Sequence, residues 1–265
     1  MDVVNSDLAA LSANSYRVGR NPANIAALPP GATELGYFSD PTTGFEAAVY
    51  DYAGKTVIAY TGTLPDSTAD IGADVELGLG VPESQIEQAA EFYEAAKQTY
   101  GGDIIFTGHS LGGGLAALMG VFFNKQAVTF DQAPFRLSAT QATAATIASY
   151  IAARGYGTDP DLAGFTTTES TLATSVSGLT GILLGLGIID PLAALALASK
   201  AYPTTIRGEP NITSISTKGE FLTAGVGPLT PSIMGQLRIR NAAPDPIDNG
   251  GVGVLTGTED RRAHV

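Results

Sequence analysis

Apolar residues recur along this chain in two periods, and the switches between them outline a succession of strands and helices. Ser6 to Arg17 carries a helical pattern opened by Asn5 or Ser6, whereas residues 18–44, rich in Gly, Pro, Asn and Asp, read as irregular. Phe45 to Tyr52 and Thr56 to Tyr60 read as two strands joined at Ala53-Gly54, a hairpin. Pro82 opens a helix in which Ile86, Ala89, Ala90, Tyr93, Ala96 and Tyr100 share one face, and Gly101-Gly102 ends it. Asp103 to Thr107 is a short, continuously apolar run, the signature of a strand buried on both faces. A tight turn at Gly108 to Gly112 leads into a helix over Leu111 to Asn124, with Leu111, Leu115, Leu118 and Phe122 on one side. Ala127 to Phe130 follows as the next strand.

This helix–strand–turn–helix–strand rhythm predicts a mostly parallel sheet covered by helices. The rhythm breaks at 137–205. A helix is expected over Thr140 to Arg154, then a Gly/Thr/Ser-rich stretch, then an apolar run from Leu172 to Ala201. The strand pattern resumes at Ile212 to Thr217. The expectation is one domain over 1–265 in which 137–205 is a helical insertion.

Residues 108–112 read G-H-S-L-G, a G-x-S-x-G arrangement lying between an apolar strand and an amphipathic helix. A serine that must leave a strand and enter a helix at once adopts a strained backbone, and side chains two positions to either side would collide with the turn. Gly108 and Gly112 remove them. The geometry lifts the Ser110 hydroxyl above the sheet and sets the positive end of the following helix beside it. The pattern makes Ser110 a candidate nucleophile.

Charge narrows the partners. A formal net charge of −12 with no Lys/Arg-rich stripe excludes a nucleic-acid partner and electrostatic recruitment to anionic lipid, so contact with a lipid surface would have to be apolar. The chain has no cysteine, which excludes disulfides and thiolate metal sites. Asp66, Asp70, Asp74 and Glu76 lack the spacing of a calcium loop and read as a solvated acidic loop. Neither a metal nor a cofactor is expected. The first 30 residues carry no conventional leader pattern. A secreted, extracellular location is nonetheless the expectation, with the cytoplasm as the alternative. Asn211-Ile212-Thr213 is a glycosylation sequon whose use depends on the host.

The stretches V-I-A-Y-T-G-T (57–63), T-G-H-S-L-G-G-G-L-A (107–116) and A-V-T-F-D-Q-A-P (127–134) together resemble the class 3, fungal-type lipases and their bacterial relatives. The resemblance runs from about Phe45 to Pro134. It implies an α/β-hydrolase fold, a Ser–His–acid triad, an oxyanion hole and a mobile lid, acting on carboxylic esters of lipid-like substrates. The family's Arg-Gly-Thr before the hole is Thr61-Gly62-Thr63 here, and its Phe-Gly-x-Pro is Phe130-Asp131-Gln132-Ala133-Pro134, departures that mark a distant branch. The hole is then expected from the backbone N–H groups of Thr63 and Leu111.

A serine needs a base, and the chain has two histidines. His109, inside the elbow, reads as a structural neighbour of the nucleophile. His264 follows the elbow as the order Ser–acid–His requires, although it is second from the last residue, where a solvated tail histidine is the competing reading. For the acid, Glu220 lies just past the strand Ile212–Thr217, where the family places it. Asp131, at the end of the strand after the elbow helix, competes, while Asp245 and Asp248 read as solvated loop carboxylates.

The apolar run at 172–201 is long enough to span a membrane, but Ser/Thr/Gly interruptions and the Asp190-Pro191 break oppose that, so a stable membrane protein is not expected. Two readings stay open: a pair of core helices separated at Asp190, or a cap over the site whose apolar face makes transient contact with lipid. Rival functions are a phospholipase, polyester hydrolase or acyltransferase using the same machinery, and a non-catalytic binding module.

Overall fold

The computed structural model describes residues 2–18, 27–62, 81–136, 138–168, 205–217 and 237–240. Its elements in chain order are α1 (Asn5–Ser15), β1 (Thr33–Asp40), β2 (Phe45–Tyr52), β3 (Lys55–Tyr60), α2 (Glu83–Thr99), β4 (Ile104–His109), α3 (Leu111–Phe122), β5 (Gln126–Phe130), α4 (Gln141–Ala153), α5 (Pro160–Ala163), β6 (Thr167–Thr168), β7 (Thr205–Ile206), a single 3₁₀ turn, β8 (Ile212–Thr217) and β9 (Leu237–Arg240). Seven strands form one sheet in the order β1-β2-β3-β4-β5-β8-β9. β1, β2 and β3 pair antiparallel, and every junction from β3 onward is parallel. Helices cover both faces, which is why the central strands are apolar throughout rather than alternating. This is an α/β-hydrolase architecture with the elbow at the carboxyl end of the central strand β4.

The two faces have separate cores. α1 lies on one side, where Leu8 and Leu11 pack with Tyr50, Tyr52, Val57, Ile105, Phe130 and Ile215. α2, α3 and α4 lie on the other, around Phe45, Tyr60, Tyr93, Phe106, Leu118 and Phe122. The central helix α3 is buried along its whole length, because it packs on β4 and β5 while α2 covers its outer side.

Three expectations change. Residues 33–40 form a strand, β1, paired with β2 through a register shift between Glu34 and Gly36, rather than irregular chain. An edge strand needs only one partner and buries little, so T-E-L-G-Y-F-S-D satisfies it without the apolar run that marks an inner strand. Tyr100 leaves the apolar face of α2 and is 41% exposed. It is the C-cap, its N–H closing the last turn, while its hydroxyl donates to the Leu35 carbonyl at 2.8 Å. α1 ends at Ser15 rather than Arg17, since Tyr16 is already extended at φ −76°, ψ 110°.

Of the segment 137–205, the described part includes α4, capped by the Thr140 hydroxyl accepting from Thr143 N–H at 3.0 Å, and the short α5. α5 is tied back to α2 by charge. Lys97 Nζ lies 2.5 Å from Asp159 Oδ2 and 3.3 Å from Glu94 Oε2. Asp159 also caps α5, accepting from the N–H groups of Asp161 at 2.8 Å and Leu162 at 3.1 Å. β6 and β7 pair antiparallel at Thr167–Ile206 and Thr168–Thr205, and Arg207 bonds Asp161 beside them. The apolar run at 172–201 lies outside the described residues. Among the described residues, no helix is long and apolar enough to cross a membrane, and no group of acidic, histidine or cysteine side chains could hold a metal.

Two expected outcomes follow from this packing. Burial would raise the Asp159 carboxyl, but hydrogen bonds and charge from Lys97, with the two capping N–H groups, outweigh it and hold Asp159 below the usual 3.8. A depressed carboxyl contributes stability that is complete above the unfolded value and is lost as pH falls through the folded one. Lys97 is partly exposed, so Asp159→Asn should cost about 1–2 kcal/mol at pH 7. That deficit should shrink in thermal melts as pH drops from 5 towards 3. The second outcome concerns α3. A Cβ at Gly112 would lie 2.6 Å from the Tyr60 carbonyl carbon and 2.7 Å from that of Thr61, backbone that cannot yield. At Gly120 its nearest neighbour would be the Cδ1 tip of Ile212, at 2.5 Å, a side-chain end that can shift, with Ala127 Cβ at 3.2 Å and the Lys125 carbonyl oxygen at 3.3 Å. Gly112→Ala should therefore destabilise by about 3 kcal/mol or more and Gly120→Ala by about 1–2 kcal/mol, a contrast that denaturant melts would read.

Candidate active site

The site is built where β4 hands over to α3. Ser110 sits between them at φ 55°, ψ −126°, a conformation that side-chain-bearing residues rarely adopt. Four hydrogen bonds hold it there. The Ser110 N–H donates to the Phe130 carbonyl at 3.1 Å, so the elbow leans on β5. The Ser110 carbonyl accepts from Ala133 N–H at 2.8 Å and from Gly114 N–H at 3.1 Å. The fourth bond comes from the other face of the sheet: the Tyr16 hydroxyl donates to the His109 carbonyl at 3.1 Å.

The glycines make the turn possible through close approach. A Cβ on Gly108 would run into the backbone of Gly112 and lie 2.8 Å from Gly113 N. One on Gly113 would lie 2.8 Å from Gln132 Cβ. Gly62, just past the end of β3, packs against the elbow from the side, its missing Cβ lying 3.1 Å from Ser110 Cβ and 2.7 Å from the His109 carbonyl oxygen. The segment that follows β3 thus starts in contact with the candidate nucleophile. Leu111 begins α3, and its backbone N–H is among the first four of the helix, which have no partner within it.

The predicted site residues separate into two groups. Ser110, Leu111 and Asp131 are described and lie together around the carboxyl ends of β4 and β5. Asp131 follows β5 directly, is 6% exposed and has φ 42°, and its N–H donates to the Ile215 carbonyl of β8 at 2.9 Å. Thr63, Glu220 and His264 lie outside the described residues, as do Asp245 and Asp248 and the acidic loop bearing Asp66, Asp70, Asp74 and Glu76. His109 ends β4 with its Nδ1 3.1 Å from the Tyr16 hydroxyl. That contact turns one ring nitrogen towards the residue that caps α1.

Tyr16 and Gly62 are the residues that sequence reasoning passed over. Tyr16 stands at the edge of a Gly/Pro/Asn-rich segment and 93 positions from His109, so no local pattern marks it. Gly62 had a visible signal, a glycine directly after a strand, which often marks a close approach of backbone.

Known proteins bear on the same region. The chain is 33% identical over 133 residues to the extracellular phospholipase A1 of Serratia liquefaciens, an alignment covering 48% of this chain and 41% of that protein. The chain thus spans less than half the length of the curated relative it matches. Among solved structures, lipase II from Rhizopus niveus aligns at 16% identity over 55% of this chain and 66% of its own, with a TM-score of 0.37. The Rhizomucor miehei lipase–propeptide complex aligns at 19% identity over 49% and 52%, with a TM-score of 0.32. Residues 7–206 match the phospholipase-like family described as the Tle-like phospholipase domain. That span includes Thr63, Ser110, Leu111 and Asp131 and covers well over half of the sequence, and the chain belongs to this family.

Proposed function

We propose that this chain hydrolyses carboxylic esters of lipids, glycerophospholipids first among them, through an acyl-enzyme on Ser110. The observation that carries the reading is the backbone of Ser110, held at φ 55° between a central parallel strand and a buried helix. A strained serine at that junction has a mechanistic use: it presents Oγ above the sheet at the positive end of a helix. The phospholipid preference is supported by the family and by the name of the Serratia relative, whose extracellular location is also the one proposed here. The whole chain, 1–265, is taken as one hydrolase domain with 137–205 as its helical insertion.

In this reading Ser110 Oγ attacks the ester carbonyl while His264 takes its proton, and a carboxylate orients and charge-stabilises the imidazole. Glu220 is the first choice for that carboxylate and Asp131 the alternative, favoured by its burial at the end of β5. The backbone N–H groups of Leu111 and Thr63 donate to the oxyanion as the tetrahedral intermediate forms. The intermediate collapses as His264 protonates the departing alcohol, a lysophospholipid when the substrate is a phospholipid. His264 then deprotonates a water, which attacks the acyl carbonyl, and returns that proton to the departing Ser110 Oγ as the fatty acid is released. No metal or cofactor enters any step. With a net charge of −12 the protein is not drawn to an anionic surface by charge, so the apolar run at 172–201 is assigned the contact with lipid.

Two measurements test this. A fluorophosphonate probe should label the folded protein and not Ser110→Ala, and that variant should lose hydrolysis of p-nitrophenyl esters and of phospholipid by at least about 10⁴-fold while keeping its melting temperature within about 2 °C. A folded protein that neither labels nor turns over would instead be a binding module on the same scaffold. Transfer of acyl groups to an added alcohol in preference to water would make it an acyltransferase. For the role given to 172–201, turnover of a short-chain phospholipid should rise several-fold as its concentration crosses the micellar threshold. Equal rates on monomers and micelles would remove the lipid contact from the proposal.

A further inference from the structure

Tyr16 lies on the opposite side of the central sheet from α3, yet its hydroxyl reaches the elbow. It is 2% exposed, and its Oη is 3.1 Å from both His109 Nδ1 and the His109 carbonyl oxygen. The position that a Cβ of Gly62 would occupy falls within contact of the same oxygen, so the hydroxyl is wedged between the end of β3 and the residue before the nucleophile. In a parallel ladder the carbonyl of an inner strand takes an N–H from its neighbour. β3 pairs with β4 only as far as Tyr60–Gly108, and the Thr61 N–H turns away to the Glu46 carbonyl at 3.0 Å. At His109 the phenol donates to the carbonyl just beyond the last β3–β4 residue pair.

We infer that Tyr16 is a positioning residue for the nucleophile: it clamps the His109–Ser110 peptide from the β3 side while Phe130 clamps it from the β5 side, and it selects the His109 tautomer. The inference rests on the reading of Ser110 as the nucleophile. The carbonyl oxygen and the Ser110 N–H belong to one planar unit, and they point to opposite neighbours. Bonding both ends fixes the rotation of that plane, and with it the φ of Ser110 and the direction of its Oγ. A phenol has one proton. The carbonyl can only accept, so satisfying both contacts requires the proton to go to the carbonyl and Oη to accept Nδ1–H. His109 then carries a proton on Nδ1, which makes it the Nδ1–H tautomer whenever the ring is neutral. α1 thereby contributes to the chemistry of a site to which it presents no reacting group. Its opposite end is fastened separately, by the Tyr52 hydroxyl donating to Asp7 Oδ2.

The test compares two hydroxyl deletions on the docking surface of α1. Tyr16→Phe keeps the ring and removes the clamp; Tyr52→Phe removes the distal anchor. Tyr16→Phe should lower kcat on a p-nitrophenyl ester and the rate of fluorophosphonate labelling by about tenfold each, with KM unchanged, because the group acts on the attack geometry and touches no substrate. Nitrogen-15 spectra of the two histidines, assigned with a His109 variant, should show His109 as Nδ1–H in the parent and moved towards Nε2–H in Tyr16→Phe. Tyr52→Phe should lose similar thermal stability and keep both the labelling rate and the tautomer. Wild-type labelling and turnover in Tyr16→Phe, or an equal loss in both variants, would overturn the inference and leave Ser110 as the nucleophile. A parent protein that does not label at Ser110 would overturn the functional reading itself, and this inference with it.

Discussion

The fold depends on how closely the start of α3 can approach the ends of β3 and β4. Backbone meets backbone there: a single added carbon at Gly112 would overlap the last carbonyls of β3, and one at Gly108 would overlap Gly112. That approach gives Ser110 its positive φ, puts its N–H on β5 and its carbonyl under Ala133, and lets a helix begin one residue later. It also explains why α3 carries so many small residues and is buried throughout, since any larger side chain on its inner face would push the helix away from the strand it must touch.

A strained residue persists only where its surroundings over-determine it. Around Ser110 the restraint comes from three directions: β5 through Phe130, the chain after β5 through Ala133, and α1 through Tyr16. The two hydrophobic cores on either side of the sheet therefore meet in the elbow, one through α3 and the other through a phenol. The helices further out hold the platform by other means. α5 is fastened to α2 by Lys97 and Asp159 rather than by apolar area, as suits a four-residue helix that buries little beyond Leu162.

Segments whose role is set by local period were legible in the sequence. α2 declared itself by its apolar stripe, β4 by its unbroken apolar run, and β8 by its return to a β-rich pattern after 137–205. The elbow was legible because its requirement is local: two glycines flanking a serine between a strand and a helix. β1 escaped notice because an edge strand satisfies itself with one partner and a half-exposed, polar composition. Tyr100 was misplaced because helical phase continues on paper past the residue where Gly101-Gly102 turns the real chain aside.

The sequence by itself therefore determined a mostly parallel sheet covered by helices, the nature of the elbow and the candidate nucleophile, all of which follow from residues within a few positions of one another. Only the tertiary structure decided that Gly62 borders Ser110, that Asp131 is a buried neighbour of the site, and that Tyr16 reaches across the sheet to His109. These contacts join positions tens of residues apart. Local periodicity carries no information about which loop ends will meet, because that is set by strand order and by the close packing that glycine permits.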